Sequence, residues 1–264
     1  MCLILFAADA HPVYRLIVAA NRDEAYSRPS AAAGFWPDHP EVCAGRDLEQ
    51  GGTWLGMSKR GRFAAITNYR QGQPRSDAAR SRGELTRDFL IGSEAPAHYI
   101  ERVEQRAGAY NGFSLIVGDD DALWFYSNRG AAPQRIAPGV HGLSNHLLDE
   151  PWPKVTRGIS KLTRLLHAGE SELVCELLRV LSDRAPAPPH LLPSTGIDAE
   201  RERALSASFI SGPTYGTRAS TLVLVGRDGR VLVHERRFGP AGAPDGDGEL
   251  RFQLLSRVPA PARA

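Results

Sequence analysis

The second residue of the chain is Cys2, and removal of the initiator methionine ahead of so small a residue would leave it with a thiol and a free α-amine together. One residue would then supply both nucleophile and base. Reference values of about 8.5 for a thiol and about 8 for an α-amine let the amine take the thiol proton near neutrality. A neighbouring cation would favour the thiolate, by roughly 1.4 kcal/mol for each unit by which the thiol value falls. The plain alternative is a small apolar side chain at the start of a buried strand. A dense polar cluster, Asn21-Arg22-Asp23-Glu24, follows the second apolar run. Arg22 there could hold the thiolate, and Asp23 or Glu24 could orient the amine; a solvated strand end is the other reading.

The elements around these residues must bring them together. Cys2–Ala8 and residues 13–20 are apolar runs joined by Asp9-Ala10-His11-Pro12, which predicts a hairpin of two buried strands. The end of its second strand returns beside the start of the first, bringing the polar cluster to Cys2. Strands are also predicted over residues 53–58 and 62–67 around Lys59-Arg60-Gly61, with Asn68 where the second of them ends. Ser81-Arg82-Gly83-Glu84 has capping-box spacing ahead of a short helix that stops near Gly92, and a second helix carries Ile100 and Val103. Residues 113–117 and 122–127 read as strands around Asp119-Asp120-Asp121, a turn rather than a metal site. Val155, Ile159, Leu162 and Leu166 recur at helical spacing, and a second helix runs from Ser171, giving an antiparallel pair. Arg227-Asp228-Gly229 turns a hairpin of residues 220–225 and 230–235, and residues 250–255 add an edge strand. Interleaved strands and helices from end to end predict one α+β layered domain over residues 1–264, with the Pro-rich stretch 185–193 only a loop.

Composition narrows the function classes. The net charge of +2 arises from 32 basic and 30 acidic residues scattered along the chain, so no dense basic face attracts nucleic acid or anionic lipid. Neither N-terminal apolar run reaches the roughly 20 residues of a membrane span, and no basic segment precedes the first, so neither a span nor a signal peptide is expected. Cys2, Cys43 and Cys175 are odd in number and lack C-x-x-C spacing, which points to a reducing compartment and the cytoplasm.

Familiar motifs fail. Gly51-Gly52-Thr53-Trp54-Leu55-Gly56 has the wrong glycine spacing for a dinucleotide loop, and Gly142-Leu143-Ser144-Asn145-His146 lacks the last glycine of a nucleophile elbow. His141 and His146 lack the helical context of a metal pair, so no metal is expected.

With Met-Cys at its start and Asn-Arg-Asp-Glu after a hairpin, the chain resembles the NRDE family, also called the transport and Golgi organization protein 2 family. The Gly51–Gly56 stretch, Thr67-Asn68-Tyr69-Arg70, Leu143-Ser144-Asn145-His146 and Thr217-Arg218-Ala219-Ser220-Thr221 follow in the family's order, so the resemblance covers nearly the whole chain. It implies the four-layer αββα sandwich of N-terminal-nucleophile hydrolases, similar in layout to the choloylglycine hydrolase and penicillin acylase group. The implied roles are Cys2 attacking an amide or thioester carbonyl and Arg22 with Asp23 setting its charge state. Asn68 and Asn145 would lie near the oxyanion or amine, and Arg218 matches the late arginine of that group. The bile-acid relatives carry Arg-Asn-x-Asp, one residue out of step with Asn21-Arg22-Asp23-Glu24, so Asp23 and Glu24 both stay candidates beside Cys2. The substrate would be a small, partly apolar molecule, with no cofactor needed for hydrolysis. The resemblance also implies an alternative, a non-catalytic protein handling haem, acyl-CoA or lipid, with His146 or Cys2 a haem contact and Trp54, Phe35 and Trp36 lining an apolar pocket. Substrate and oligomeric state stay open.

Overall fold

The computed structural model describes residues 2–72, 79–130 and 132–255. In chain order its strands are β1 (Cys2–Ala8), β2 (Tyr14–Ala25), β3 (Ser30–Phe35), β4 (Val42–Asp47), β5 (Leu55–Ser58), β6 (Phe63–Asn68), β7 (Phe113–Gly118), β8 (Leu123–Ser127), β9 (Gln134–Arg135), β10 (Gly139–Leu143), β11 (Tyr215–Gly226), β12 (Arg230–Phe238) and β13 (Pro244–Gln253). The helices are α1 (Gly83–Ile91), α2 (Pro96–Gln105), α3 (Pro153–Arg164), α4 (Glu170–Leu181) and α5 (Ala199–Ala204). One sheet runs β10-β1-β2-β11-β12-β13 and the other runs β3 to β9 in chain order.

Alternation along β1 separates the layers. Ile4, Phe6 and Ala8 point between the sheets, where they pack with Val18, Met57, Phe63 and Ile116. Leu3, Leu5 and Ala7 face Val155 and Leu162 of α3 and Leu173 and Leu177 of α4. On the far side of the second sheet, Leu85 and Phe89 of α1 and Ile100 and Val103 of α2 cover Ala64, Ile66, Leu115 and Val117. The result is helix, sheet, sheet, helix, the αββα sandwich. Because β1 is covered on both faces, it reads as a continuous apolar run rather than an alternating one.

The first hairpin pairs as its sequence predicts, but β2 does not stop at Ala20: it continues through the polar cluster to Ala25. Its neighbours are the reason. β11 pairs with β2 as far as Tyr215↔Ala25, so the polar stretch lies in a central strand and not at a solvated end. The capping box at Ser81 does not form: Arg82 is the N-cap without a side-chain cap, and Glu84 is taken instead by Arg80 at 2.7 Å and by the Tyr110 hydroxyl. Asp119 caps the turn with Oδ1 accepting from Asp121 N at 2.9 Å, and no metal-binding cluster is found among the described residues. β3, β4, β9, β10 and α5 were not expected from the sequence; β10 completes the first sheet beside β1 and delivers Ser144 and Asn145 to the start of that strand.

Candidate active site

Cys2 pairs with Arg22 across β1 and β2, so the two side chains leave the same face, into the space between the sheets. Arg22 is 6% exposed; its guanidinium carbon lies 4.2 Å from the centre of the Trp54 ring, and Nη1 donates to Ser30 Oγ at 3.3 Å. The ring fits because Gly45 has no side chain: a Cβ there would stand 2.3 Å from Trp54. Cys2 itself is half-buried and lines a polar cleft of about 410 Å³ with Arg22, Asp23, Glu24, Trp54 and Asn68.

Asp23 lies one step along β2 and therefore faces the opposite way, toward the helices. Its Oδ1 accepts from the Thr217 hydroxyl at 2.6 Å, and its carbonyl accepts from the Tyr215 hydroxyl at 2.9 Å. Burial pushes the Asp23 carboxyl up, opposed by the chain's amino terminus, Lys154, the Thr217 hydroxyl and Arg70. Burial likewise raises the Cys2 thiol, while the amino terminus, a backbone hydrogen bond from Asp23 and the Arg22 charge pull it down. The Asp23 charge also raises the Cys2 thiol; Glu24 acts on Arg22 and, half-exposed, lines the cleft with Oε1 accepting from Ala25 N at 2.9 Å. Asp23 and Glu24, on opposite faces of β2, both line the cleft of Cys2. Asn21, facing the helices, donates to Leu181 O at 2.8 Å and Ser208 O at 2.7 Å and accepts from Ser220 Oγ at 2.6 Å. It ties β2 to the helix layer.

Asn145, fully buried with a φ of 56°, uses Oδ1 to accept from Cys2 N at 3.2 Å and Nδ2 to donate to Asn68 O at 2.8 Å. Ser144 Oγ donates to Cys2 O at 3.0 Å, so two consecutive side chains after β10 grip the backbone of Cys2. Asn68 lines the cleft of Cys2 and also a wider one of about 870 Å³ bounded by Phe209, Ile210, Leu205 and Tyr215. Glu24, Asn68, Arg82 and Asn111 are common to both clefts.

Arg218 is not directed at Cys2. β11 bulges between Thr217, paired with Asp23, and Ala219, paired with Arg22, leaving Arg218 as the extra residue. Its Nη1 donates to the carbonyls of Ala25, Tyr26 and Arg28 at 3.0, 3.2 and 2.9 Å, clamping the turn after β2. His146 lines neither cleft: Nδ1 lies 3.0 Å from Glu150 Oε2 and Nε2 2.6 Å from the Tyr69 hydroxyl. Both ring nitrogens being engaged, the residues present do not fit a haem held through His146. Nor do the three aromatics make one pocket. Trp36 is buried under α1 and α2 with Nε1 donating to Ala44 O at 3.1 Å, and Phe35 packs against Phe252; Trp54 alone reaches Cys2's cleft.

Several participants gave no chemical signal in the sequence. Arg70 and Glu202 form a buried ion pair at 2.6 Å, with the Arg70 guanidinium 4.6 Å from the Trp152 ring. Lys154 is 1% exposed, with Nζ donating to Leu205 O at 3.0 Å. Helical spacing does mark Lys154, since it shares the buried face of α3 with Gly158 and Leu162.

The four layers, with a cysteine opening an interior strand, define a fold of the N-terminal-nucleophile hydrolase type. Penicillin V acylase from Agrobacterium tumefaciens superposes with a TM-score of 0.52 at 10% identity, over 96% of this chain and 86% of that one. A Caenorhabditis elegans ortholog of N-acylethanolamine-hydrolyzing acid amidase gives 0.50 at 14%, over 84% and 92%. Within that fold the chain belongs to the Transport and Golgi organisation 2 family, whose profile matches residues 1–240. It is 43% identical over 257 residues to the Transport and Golgi organization protein 2 homolog of Bos taurus, covering 89% of this chain and 92% of that protein. The Homo sapiens homolog is 40% identical with the same coverage. No helix among the described residues is long and apolar enough to cross a membrane.

Proposed function

We propose that this chain is an N-terminal cysteine amidohydrolase or acyl-transfer enzyme acting on a small, partly apolar amide or thioester. The observation that carries the reading is the nitrogen of Cys2 held on Asn145 Oδ1 at 3.2 Å, with the same residue lining a cleft beside Arg22 and Asp23. With Met1 removed, that nitrogen is the α-amine. It takes the thiol proton as Sγ bonds to the carbonyl carbon, and the carbonyl electron pair moves onto oxygen. On collapse, the carbon–nitrogen or carbon–sulfur bond breaks and the ammonium returns its proton to the leaving group. Water or another acceptor then releases the acyl group from sulfur. Asn68 is the side-chain amide suited to the oxyanion, a donor generally worth about 2.7 to 4 kcal/mol of transition-state stabilisation. Asn145 positions the amine, Arg22 favours the thiolate, and Arg218 supports both by fixing the turn that follows β2. The apolar part of the substrate fits the wider cleft, which joins that of Cys2 at Asn68. The fold neighbours named as an acylase and an amidase support amide chemistry.

A second reading, binding of an apolar acyl or lipid ligand without turnover, draws on the width of the same cleft, about 870 Å³. Intact mass and a panel of acyl amides and thioesters separate the two. Loss of Met1, a mass increment of one acyl group on trapping, and inactive Cys2→Ala and severely impaired Cys2→Ser are expected of the enzyme. A retained Met1, or full turnover by Cys2→Ala, would refute covalent catalysis.

A further inference from the structure

We propose that His141 is a positioning residue of the Cys2 site, a doubly donating imidazolium that locks the base of the loop whose Asn145 holds the nitrogen of Cys2. This rests on the reading of Cys2 as an N-terminal nucleophile. Both ring nitrogens of His141 face acceptors, Nδ1 the Asp149 Oδ2 at 2.7 Å and Nε2 the Ala137 carbonyl at 2.9 Å. A neutral imidazole has one N–H and one bare lone pair, so it satisfies only one of these contacts; the protonated ring donates to both. The ring also stacks on Phe6, with centroids 5.2 Å apart and planes at 28°, a surface that favours a cation.

Asp149 passes the lock on to the loop. β10 is the edge strand of its sheet, and Asp149 covers its open side at Gly142: Oδ1 accepts from Gly142 N at 2.8 Å, and Asp149 N donates to Gly142 O at 2.8 Å. Asp149 stands at a φ of 58°, in the left-handed region, and Leu143 bridges Leu148 beside it. Residues 144–147 are thereby closed into a loop. From it Ser144 Oγ donates to Cys2 O at 3.0 Å and Asn145 Oδ1 accepts from Cys2 N at 3.2 Å, while Asn145 O accepts from Arg70 N at 2.7 Å. His141, Asp149, Gly142 and Asn145 thus form one continuous path of hydrogen bonds and chain to the first residue.

The elements packed round the ring bring it one charge among the described residues. β1 contributes the Phe6 ring, the segment before β10 the Ala137 carbonyl, and the loop after it the Asp149 carboxylate. Glu150 of that loop is turned to His146, and Lys154 and Arg157 of α3 donate to Leu205 O and Ala185 O. The Asp149 hydrogen bond accordingly raises the ring above its ordinary 6.5, against the pull of burial and with help from the Ala137 carbonyl. A raised value means that the double contact contributes fully below 6.5 and is lost as pH rises through the folded value. Losing either ring proton frees one end of the lock, and the hold on the Cys2 nitrogen loosens with it.

The test is a nitrogen-15 NMR titration of the His141 ring in full-length protein lacking Met1, its signals assigned by through-bond correlation to its own backbone. The ring is expected to titrate above 6.5 in the wild type and closer to 6.5 in Asp149→Asn. At pH 6 the Arg70 amide, held by Asn145 O, should exchange with solvent about tenfold faster in His141→Gln, as loss of one hydrogen bond to a charged group implies. Iodoacetamide labelling of the peptide that contains Cys2 should show, besides the rise of the thiol itself, an inflection at the His141 midpoint that His141→Gln lacks. A wild-type ring that titrates at or below 6.5 overturns the proposal, as does a wild-type labelling profile without that inflection; both are read on the wild type and stay decisive if a variant does not fold. Unaltered Arg70 exchange in a folded His141→Gln overturns it as well. Failure of the nucleophile reading is seen separately, as full turnover by Cys2→Ala while the His141 midpoint and the Arg70 response stand.

Discussion

Thr217 donates its hydroxyl hydrogen to Asp23 Oδ1 across 2.6 Å while Thr217 Oγ1 itself accepts from Ile210 N at 2.9 Å. A bulge in β11 makes this possible, because it restores the pairing Thr217↔Asp23 just where Arg218 drops out of register. The hydroxyl thus joins the loop before β11 to a buried carboxylate that lines the cleft of Cys2.

Thr217→Val keeps the shape and removes both bonds. A buried amide and a buried carboxylate oxygen each lose a partner, for an expected cost of about 2 to 4 kcal/mol in urea unfolding. Thr217→Ser should recover most of it. Equal stability of the valine variant would mean that the hydroxyl is dispensable.

The Arg70–Glu202 pair is buried at both ends, 5% and 3% exposed at the side chains. Removing either charge alone, as in Arg70→Met or Glu202→Leu, strands the other and should destabilise by about 3 to 5 kcal/mol. The double variant should be much less impaired than the sum of the two. Additive losses in a double-mutant cycle would show that the charges do not act as a pair.

Gly45→Ala places a methyl group against the Trp54 ring, 2.3 Å from its nearest atom. The ring must move, and with it the surface on which Arg22 rests, at a cost of about 1 to 3 kcal/mol. A changed Trp54 environment should appear in fluorescence of a variant that keeps only this tryptophan. An unchanged spectrum together with unchanged stability would show that the contact yields without consequence.

Lys154 makes a pH-dependent contribution of definite sign. Its value falls from 10.5 in the free side chain to about 8 on folding, so its stabilising share is present above the unfolded value and lost as pH falls through the folded one. From pH 10.5 down to 8 the wild type should therefore lose on the order of 3 kcal/mol that Lys154→Met retains. Urea midpoints of both proteins across that window provide the measurement, and parallel curves would contradict the assignment.

The nearness of Cys2 and Arg22 was legible because a hairpin of two apolar runs fixes which residues stand opposite one another, and Cys2↔Arg22 follows from that register. The separate surroundings of Asp23 and Glu24 were not, because they depend on which layer covers each face of β2. Asn145 was legible only by resemblance: its left-handed backbone and its grip on Cys2 arise from β10, a strand too short and too glycine-rich to announce itself. Arg218 was visible as a residue but not in its direction, since a single bulge turned it onto three carbonyls of another segment. Glu202 sits in the polar sequence of α5 and gives no hint that Arg70 buries it.

The letters of Asn21-Arg22-Asp23-Glu24 answer to different parts of the molecule: Asn21 to Leu181 and Ser208, Asp23 to Thr217, Arg22 to Trp54 and Glu24 to the cleft of Cys2. A strand that carries its polar groups this way cannot tolerate slippage: adding one residue after Ala20 would send the guanidinium into the helix layer and the carboxylate onto Trp54. Length between the first turn and this segment is therefore as strictly specified as the letters themselves.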